Sequence, residues 1–181
     1  QSLVREAFNV WADVTAVSFV EVADSSEVGI RLGWAPLDGL GEQVGYTWLV
    51  GFPNAVEDQA GRIGSAEIIF DLAEEWDYAK EPDLSRPSFF ATAIHEIGHA
   101  LGMDHTPEGS LSMMAAFQAE ITELQPGDVD GIQALYGTVG QATESDDRIG
   151  GTSAGDIIDA LAGQDTVSGL MGDDDLRGGP G

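Results

Sequence analysis

Apolar residues recur at helical spacing near both ends of the first 137 positions, and at strand-like spacing between them. Leu3, Val4, Ala7, Phe8, Trp11 and Val14 fall on one face, which predicts an amphipathic helix over 2–14. Val17, Phe19 and Val22 bracket a β-rich run, and residues 28–32 (VGIRL) read as a strand. A glycine-rich loop over 33–43 leads to a β-prone stretch, 44–50, and a polar loop precedes a short strand at 66–70. From Ser85 a helix is predicted, with Phe89, Phe90, Ala93, Ile94, Ile97 and Leu101 on one face and Gly102 as its end. A last helix starts at Pro126, where the missing N–H has no partner to lose, and stops at Tyr136-Gly137. The pattern predicts an α+β fold.

Composition changes near residue 138. Beyond it there is no Trp, Tyr or Phe, and glycine, aspartate and small residues dominate. The formal charge of the whole chain is −25. So acidic a surface repels phosphate backbones and anionic lipid and attracts divalent cations, which argues against nucleic-acid and membrane-surface partners. No apolar run approaches the roughly 20 residues of a bilayer span, so no membrane insertion is expected. There is no cysteine, which removes disulfides, thiolate metal sites and cysteine nucleophiles. With 43% hydrophobic residues the chain can still bury a core. No signal peptide precedes the first helical pattern, which reads as a start lying further upstream.

The chemistry is concentrated in residues 95–105, HEIGHALGMDH, which contain all three histidines of the chain. His95 and His99 are four apart, so on a helix their imidazoles project from one face and can share a tetrahedral Zn²⁺. Glu96, next to the first of them, can reach a metal-bound water rather than the metal. Gly102 tolerates a positive φ and permits a sharp exit that returns His105 as a third ligand. Three ligands with one open position describe a catalytic zinc, since a structural zinc is closed by four. Chance spacing of surface or core histidines is the bland alternative, and a bare HExxH alone would leave it standing.

This extended motif resembles that of the metzincin zinc peptidases. Met113, eight residues after His105 within 111–114 (LSMM), resembles the methionine turn of the matrixin branch, with Met114 as the alternative. Ala115 stands two residues later, where serralysins and astacins carry a tyrosine ligand. Matrixin-like text also includes 7–15 (AFNVWADVT), 86–90 (RPSFF) and 130–137 (DGIQALYG). The resemblance implies a catalytic domain over 1–137: a twisted mixed sheet with three helices and a cleft beside an edge strand. The strand that the family places before its first helix has no residues here, which reads as a fragment or a removed strand.

Two further segments resemble the structural calcium site of matrixins. They are 38–43 (DGLGEQ) and 70–76 (FDLAEEW), with Asp38, Asp71 and Glu74 as side-chain ligands and Gly39, Gly41 and Gln43 as carbonyl ligands. Calcium takes six to eight oxygens with little geometric demand, which suits such a loop. The family's second, structural zinc should be lost, because Tyr46 and Ile69 stand where its histidines would be.

Residues 138–150 read as a polar linker, and 151–181 carry a period of nine. Asp156, Asp165 and Asp174 are nine apart, as are Ile158, Val167 and Leu176. This resembles the RTX nonapeptide, whose aspartates and glycine carbonyls bind Ca²⁺ between turns of a parallel β-roll. The first unit departs from the pattern at Ala154, and the array stops in mid-unit at residues 178–181 (GGPG), another sign of truncation. RTX tracts accompany bacterial export, so the resemblance implies a secreted, extracellular bacterial protein.

The reading is thus a monomeric zinc endopeptidase acting on protein or peptide substrates, with one catalytic zinc, structural calcium and Glu96 as general base. A serralysin-like protease is the nearer alternative, supported by the repeats and opposed by Ala115. A calcium-dependent adhesin built on an inactive zinc helix is the alternative from another class.

Overall fold

The computed structural model describes residues 3–15, 17–26, 28–50, 65–81, 85–116, 121–136, 142–151, 155–169 and 172–180. Its elements run α1 (Leu3–Ala12), β1 (Ile30–Ala35), β2 (Gly45–Val50), β3 (Ser65–Asp71), α2 (Phe89–Ala100), α3 (Pro126–Tyr136), β4 (Arg148–Gly150), β5 (Ile157–Asp159), β6 (Thr166–Ser168) and β7 (Asp175–Arg177). The predicted polar loop over 51–64, the helix stop at Gly137 and the departure at Ala154 lie outside the described residues. No helix among the described residues is long and apolar enough to cross a membrane. Packing divides the chain into two compact units, one of residues 1–10 and 20–128, the other of 11–19 and 129–181.

In the first unit β1, β3 and β2 form a mixed sheet in that order, β1 parallel and β2 antiparallel to the central β3. Ala66, Ile68 and Phe70 alternate along β3 and are buried, as period-two patterning requires of a strand facing a core. Helix α2 packs on β2 and β3. Its Ala93, Ile94 and Ile97 are fully buried, and Phe89 lies 4.9 Å from Phe70, ring to ring. Trp34 and Trp76 extend this aromatic cluster, Trp34 stacked on Phe89 at 5.4 Å.

Two stretches differ from the sequence pattern. The predicted loop begins late, because Gly33, Trp34 and Ala35 belong to β1. A strand glycine is uncommon, but at Gly33 a Cβ would come within 3.2 Å of Ile69 Cδ1, a contact that glycine avoids. Conversely, the β-rich run at 17–22 forms no strand, since its residues pair with no ladder and Val20 and Val22 are largely exposed. Propensity without a cross-strand partner does not make a strand.

In the second unit, the Gln133 side chain of α3 donates to Val14 O at 2.8 Å, tying the segment after α1 to this helix. Further along, β4 pairs with β6 and β5 with β7, both parallel. Residues 148–150, at the end of the stretch read as a linker, belong to a strand. Thr166 N donates to Asp147 O at 2.8 Å, and Arg148, Ile149 and Gly150 pair with Thr166, Val167 and Ser168. Each partner lies eighteen residues away, beyond the reach of any local pattern. Ile149, Ile158 and Ala160 form a small core, against which Ala142 and Val167 pack. Leu176, across the ladder from Ile158, remains 44% exposed.

Candidate metal centre

Helix α2 carries the site because both of its ends are well made. Ser88 caps it, its Oγ accepting from Ala91 N at 3.2 Å, and the predicted start at Ser85 is thereby moved three residues later. At the other end Gly102 takes a left-handed φ of 91°. Its N–H donates to His99 O at 2.9 Å, and Met103 N donates to Gly98 O at 3.0 Å, the paired bonds of a Schellman cap. That cap reverses the chain at the last turn of the helix. Met103 O then meets His99 Nδ1 at 2.8 Å, and the chain continues to His105 beside the helix it has just left.

The three imidazoles converge. His95 Nε2 lies 2.9 Å from His99 Nε2 and 3.2 Å from His105 Nε2, and the last pair is 3.1 Å apart. Hydrogen bonds elsewhere decide what these nitrogens carry. His95 Nδ1 is 2.8 Å from Met113 O, and His99 Nδ1 is 2.8 Å from Met103 O. A carbonyl only accepts, so each Nδ1 holds the proton and each neutral ring turns an Nε2 lone pair inward. Lone pairs that face one another at this range repel unless a cation lies between them. The donor set therefore suits zinc, whose ligands are neutral imidazoles held by their other nitrogen. Burial, with smaller contributions from the neighbouring imidazoles, pushes His95 down to about 4; burial also lowers His99. The His95 ring thus remains neutral and ready for a metal well into mild acid.

Glu96 is buried beside them, and desolvation raises its carboxyl to about 7. Thr47 Oγ1, from β2, lies 2.7 Å from Glu96 Oε2 and 2.9 Å from Glu96 O. Both residues line a cleft of about 1040 Å³ between β2 and α2, which the triad also borders and which extends to Ala115, Ala116 and Ile121. Residues 117–120 lie outside the described residues.

Met113 is fully buried, and its main chain bridges the histidines to a residue that the sequence did not single out. The Asp128 carboxylate, also fully buried, accepts from Met113 N at 2.8 Å, Ser112 Oγ at 2.5 Å and Gln125 N at 2.8 Å. It fixes the turn whose carbonyl orients His95. An aspartate in the first turn of a helix ordinarily reads as a dipole partner, so nothing in the sequence pointed to this task.

The triad is the one group of three or more His, Asp or Glu ligand atoms within 4.8 Å of one another among the described residues. Asp38, Asp71 and Glu74 instead engage amides of the glycine-rich loop. Asp71 Oδ1 accepts from Ala73 N at 2.8 Å and Leu37 N at 3.2 Å, Glu74 Oε1 from Gly41 N at 2.6 Å, and Asp38 from Gln43 N at 3.2 Å. Gly39 and Gly41 take φ of 104° and 84°. The amide of Ala73, followed by those of the loop, holds the Asp71 carboxyl below its ordinary range. Its Oδ2 is nevertheless buried with no hydrogen-bond partner. In the second unit, Asp165 Oδ1 accepts from Asp147 N at 2.9 Å and Asp174 Oδ1 from Asp156 N at 3.0 Å. Asp165 Oδ2 is likewise buried and unpartnered.

Comparison with known proteins agrees with the site. The matrixin model of peptidase M10 matches residues 1–137. The chain belongs to the matrixin family. It is similar to the hatching enzyme of Paracentrotus lividus, 33% identical over 137 residues, covering 75% of this chain and 22% of that protein. Stromelysin-1 of Mus musculus is 30% identical over 148 residues, covering 76% of this chain and 28% of that protein. Metalloendoproteinase 4-MMP of Arabidopsis thaliana is 30% identical over 146 residues, covering 74% of this chain and 39% of that protein. The chain thus spans well under half the length of these relatives.

Proposed function

We propose that this chain is the catalytic part of a secreted zinc endopeptidase. The carrying observation is the convergence of three inward-facing imidazole nitrogens with a buried carboxylate beside them. His95, His99 and His105 would hold the zinc, and Met113 would form the turn beneath it. When bound, the metal supplies a Lewis acid for the scissile carbonyl and lowers the pKa of its water to about 7. Glu96 is the general base: its raised carboxyl takes a proton from the attacking water near neutral pH and returns it to the departing amine. An extended peptide lies along β2, at the edge of the β1-β3-β2 order, pairing its main chain with the strand. Thr47 and Leu49 line the same cleft.

Calcium completes the reading. Asp71 Oδ2 and Asp165 Oδ2 are the kind of buried, unpaired oxygen that a hard cation satisfies. Asp71 would act with Asp38, Glu74 and the carbonyls of Gly39, Gly41 and Gln43, and Asp156, Asp165 and Asp174 would bind calcium in RTX repeats over 151–181. Gly151 leaves room there, since a Cβ would come within 2.7 Å of Asp156 Oδ2. Such repeats, with the −25 charge, favour a bacterial protein that orders its C-terminal part in calcium-rich surroundings outside the cell.

The test is Glu96→Gln. The variant retains one zinc per chain by metal analysis and loses casein hydrolysis by about a thousandfold. Wild-type protein without zinc, or a Gln variant as active as wild type, overturns the assignment.

A further inference from the structure

Glu96 can act as a base only if its carboxylate is held in one place, and three side-chain torsions separate that carboxylate from the helix. Among the described residues the hydrogen-bond donor to that carboxylate is the Thr47 hydroxyl, 2.7 Å from Oε2. The same hydroxyl is 2.9 Å from the Glu96 main-chain oxygen. One hydroxyl thus stands within reach of two acceptors of a single residue, and with one proton it donates to one of them at a time. We propose that Thr47 is a positioning residue for the general base, fixing the Glu96 carboxyl against α2 before substrate arrives. The inference rests on the assignment of Glu96 made above.

The surroundings explain why a threonine can do this. Thr47 stands in β2 with Ile68 of β3 as its ladder partner, and α2 packs on β2, so the Thr47 backbone is held relative to Glu96. A β-branched side chain in a strand has little χ1 freedom, so the hydroxyl inherits the precision of the sheet. Close by, Gly45 brings the strand near the helix: a Cβ there would lie 3.5 Å from Glu96 Cγ. A carboxylate so hemmed in has few rotamers left, and the hydroxyl selects among them.

A hydroxyl also suits a partner that changes protonation during turnover. It has one proton and two acceptor lone pairs, and it rotates to match its neighbours. Facing the carboxylate, it donates to Oε2. Once Glu96 has taken its proton, the hydroxyl can accept from the carboxylic acid and turn its own proton to Glu96 O. The carboxyl remains anchored through both halves of the cycle. Alanine or valine at this position can do neither. Preorganisation of this kind acts on the chemical step, whereas an extended peptide would pair with the main chain of β2, which a Thr47 side-chain change leaves in place.

The experiment compares Thr47→Val, which keeps the shape without the hydroxyl, with Thr47→Ser, which keeps the hydroxyl. Each is assayed for peptide hydrolysis, zinc content and melting temperature, alone and combined with Glu96→Gln. Thr47→Val is expected to lower kcat about tenfold with KM within twofold of wild type and full zinc content. Thr47→Ser should recover most of the rate. Thr47→Val should cause no further loss in the Glu96→Gln background, because it acts through the group already removed. A Thr47→Val enzyme with wild-type kcat, or a Ser variant as impaired as the Val variant, overturns the inference while leaving Glu96 as the base. An active Glu96→Gln single variant overturns the underlying assignment instead.

Discussion

The zinc helix and the C-terminal repeats are ordered by opposite means. Around α2 an apolar core comes first: Ile68, Phe70, Ile94 and Ile97 are essentially inaccessible, and the polar site is set into a frame that already exists. Burying side chains of this size stabilises by about 1.5–3 kcal/mol each. Between 142 and 180 the core is Ile149, Ile158 and Ala160 with two flanking residues, and carboxylates accept from main-chain amides of neighbouring turns. So little apolar surface cannot offset the ordering of nearly forty residues at about 1–2 kcal/mol each. In the first case a fold builds a metal site; in the second, on our reading, metal ions would build a fold.

Four measurements sharpen or break that contrast. The largest effect is expected from stripping zinc or from His99→Ala, which should reduce hydrolysis about 10⁴-fold while leaving amide exchange over 142–180 unchanged. Acid applied to the zinc-free protein comes next. His95 is held at about 4 in the native state against an ordinary 6.5, so between these values the unfolded chain binds a proton that the native chain refuses. The stability that His95 contributes is therefore lost as pH falls from about 6.5 to about 4. Glu96, raised to about 7, regains stability over nearly the same window, so the loss is read by urea denaturation in the Glu96→Gln background, where it should be about 3 kcal/mol. Because all three histidines lie within 95–105, exchange protection of the repeats should not follow this window.

Asp128→Asn follows. Met113 N and Gln125 N both donate to Oδ2, and an amide there sets donor against donor or abandons the bonds that Oδ1 makes. We expect about 2 kcal/mol of lost stability and weaker zinc retention, read by thermal melts and chelator competition. The smallest effect is local. Asp165→Asn with Asp174→Asn should lower calcium-dependent exchange protection across 142–180 about tenfold, with peptide turnover within twofold of wild type. Protection that persists in these variants without calcium would mean that the repeats order themselves, and the contrast would fail.

How far the sequence could be read follows the same division between local and distant causes. Helix α2 announced itself through its apolar face and through His95, His99 and Gly102, because helical spacing and a cap are properties of neighbouring residues. The α3 boundary at Pro126 was legible for the same reason. Strand β1 was clipped at Leu32, since the reason to keep Gly33 in the strand is Ile69, thirty-six positions on. The 17–22 run had strand propensity but joins no ladder among the described residues. Strand β4, at the end of the stretch read as a linker, went unread because its ladder partner begins only at Thr166. Two polar residues at the site stayed hidden: Thr47 was one threonine in a β-prone stretch, and Asp128 one aspartate opening a helix. Each acquires its task from a segment at least fourteen residues away.

The carbonyls of Met103 and Met113 set the tautomers of His95 and His99, and a carbonyl belongs to no particular side chain. Alanine scanning would therefore pass over the groups that make two of the three rings competent donors. Damage would come instead from changes that bend the path of the chain, such as a β-carbon at Gly102, where φ is 91°. The instructions for gripping the ion are written in the route of the polypeptide, and natural variation can repaint the residues along that route without erasing them.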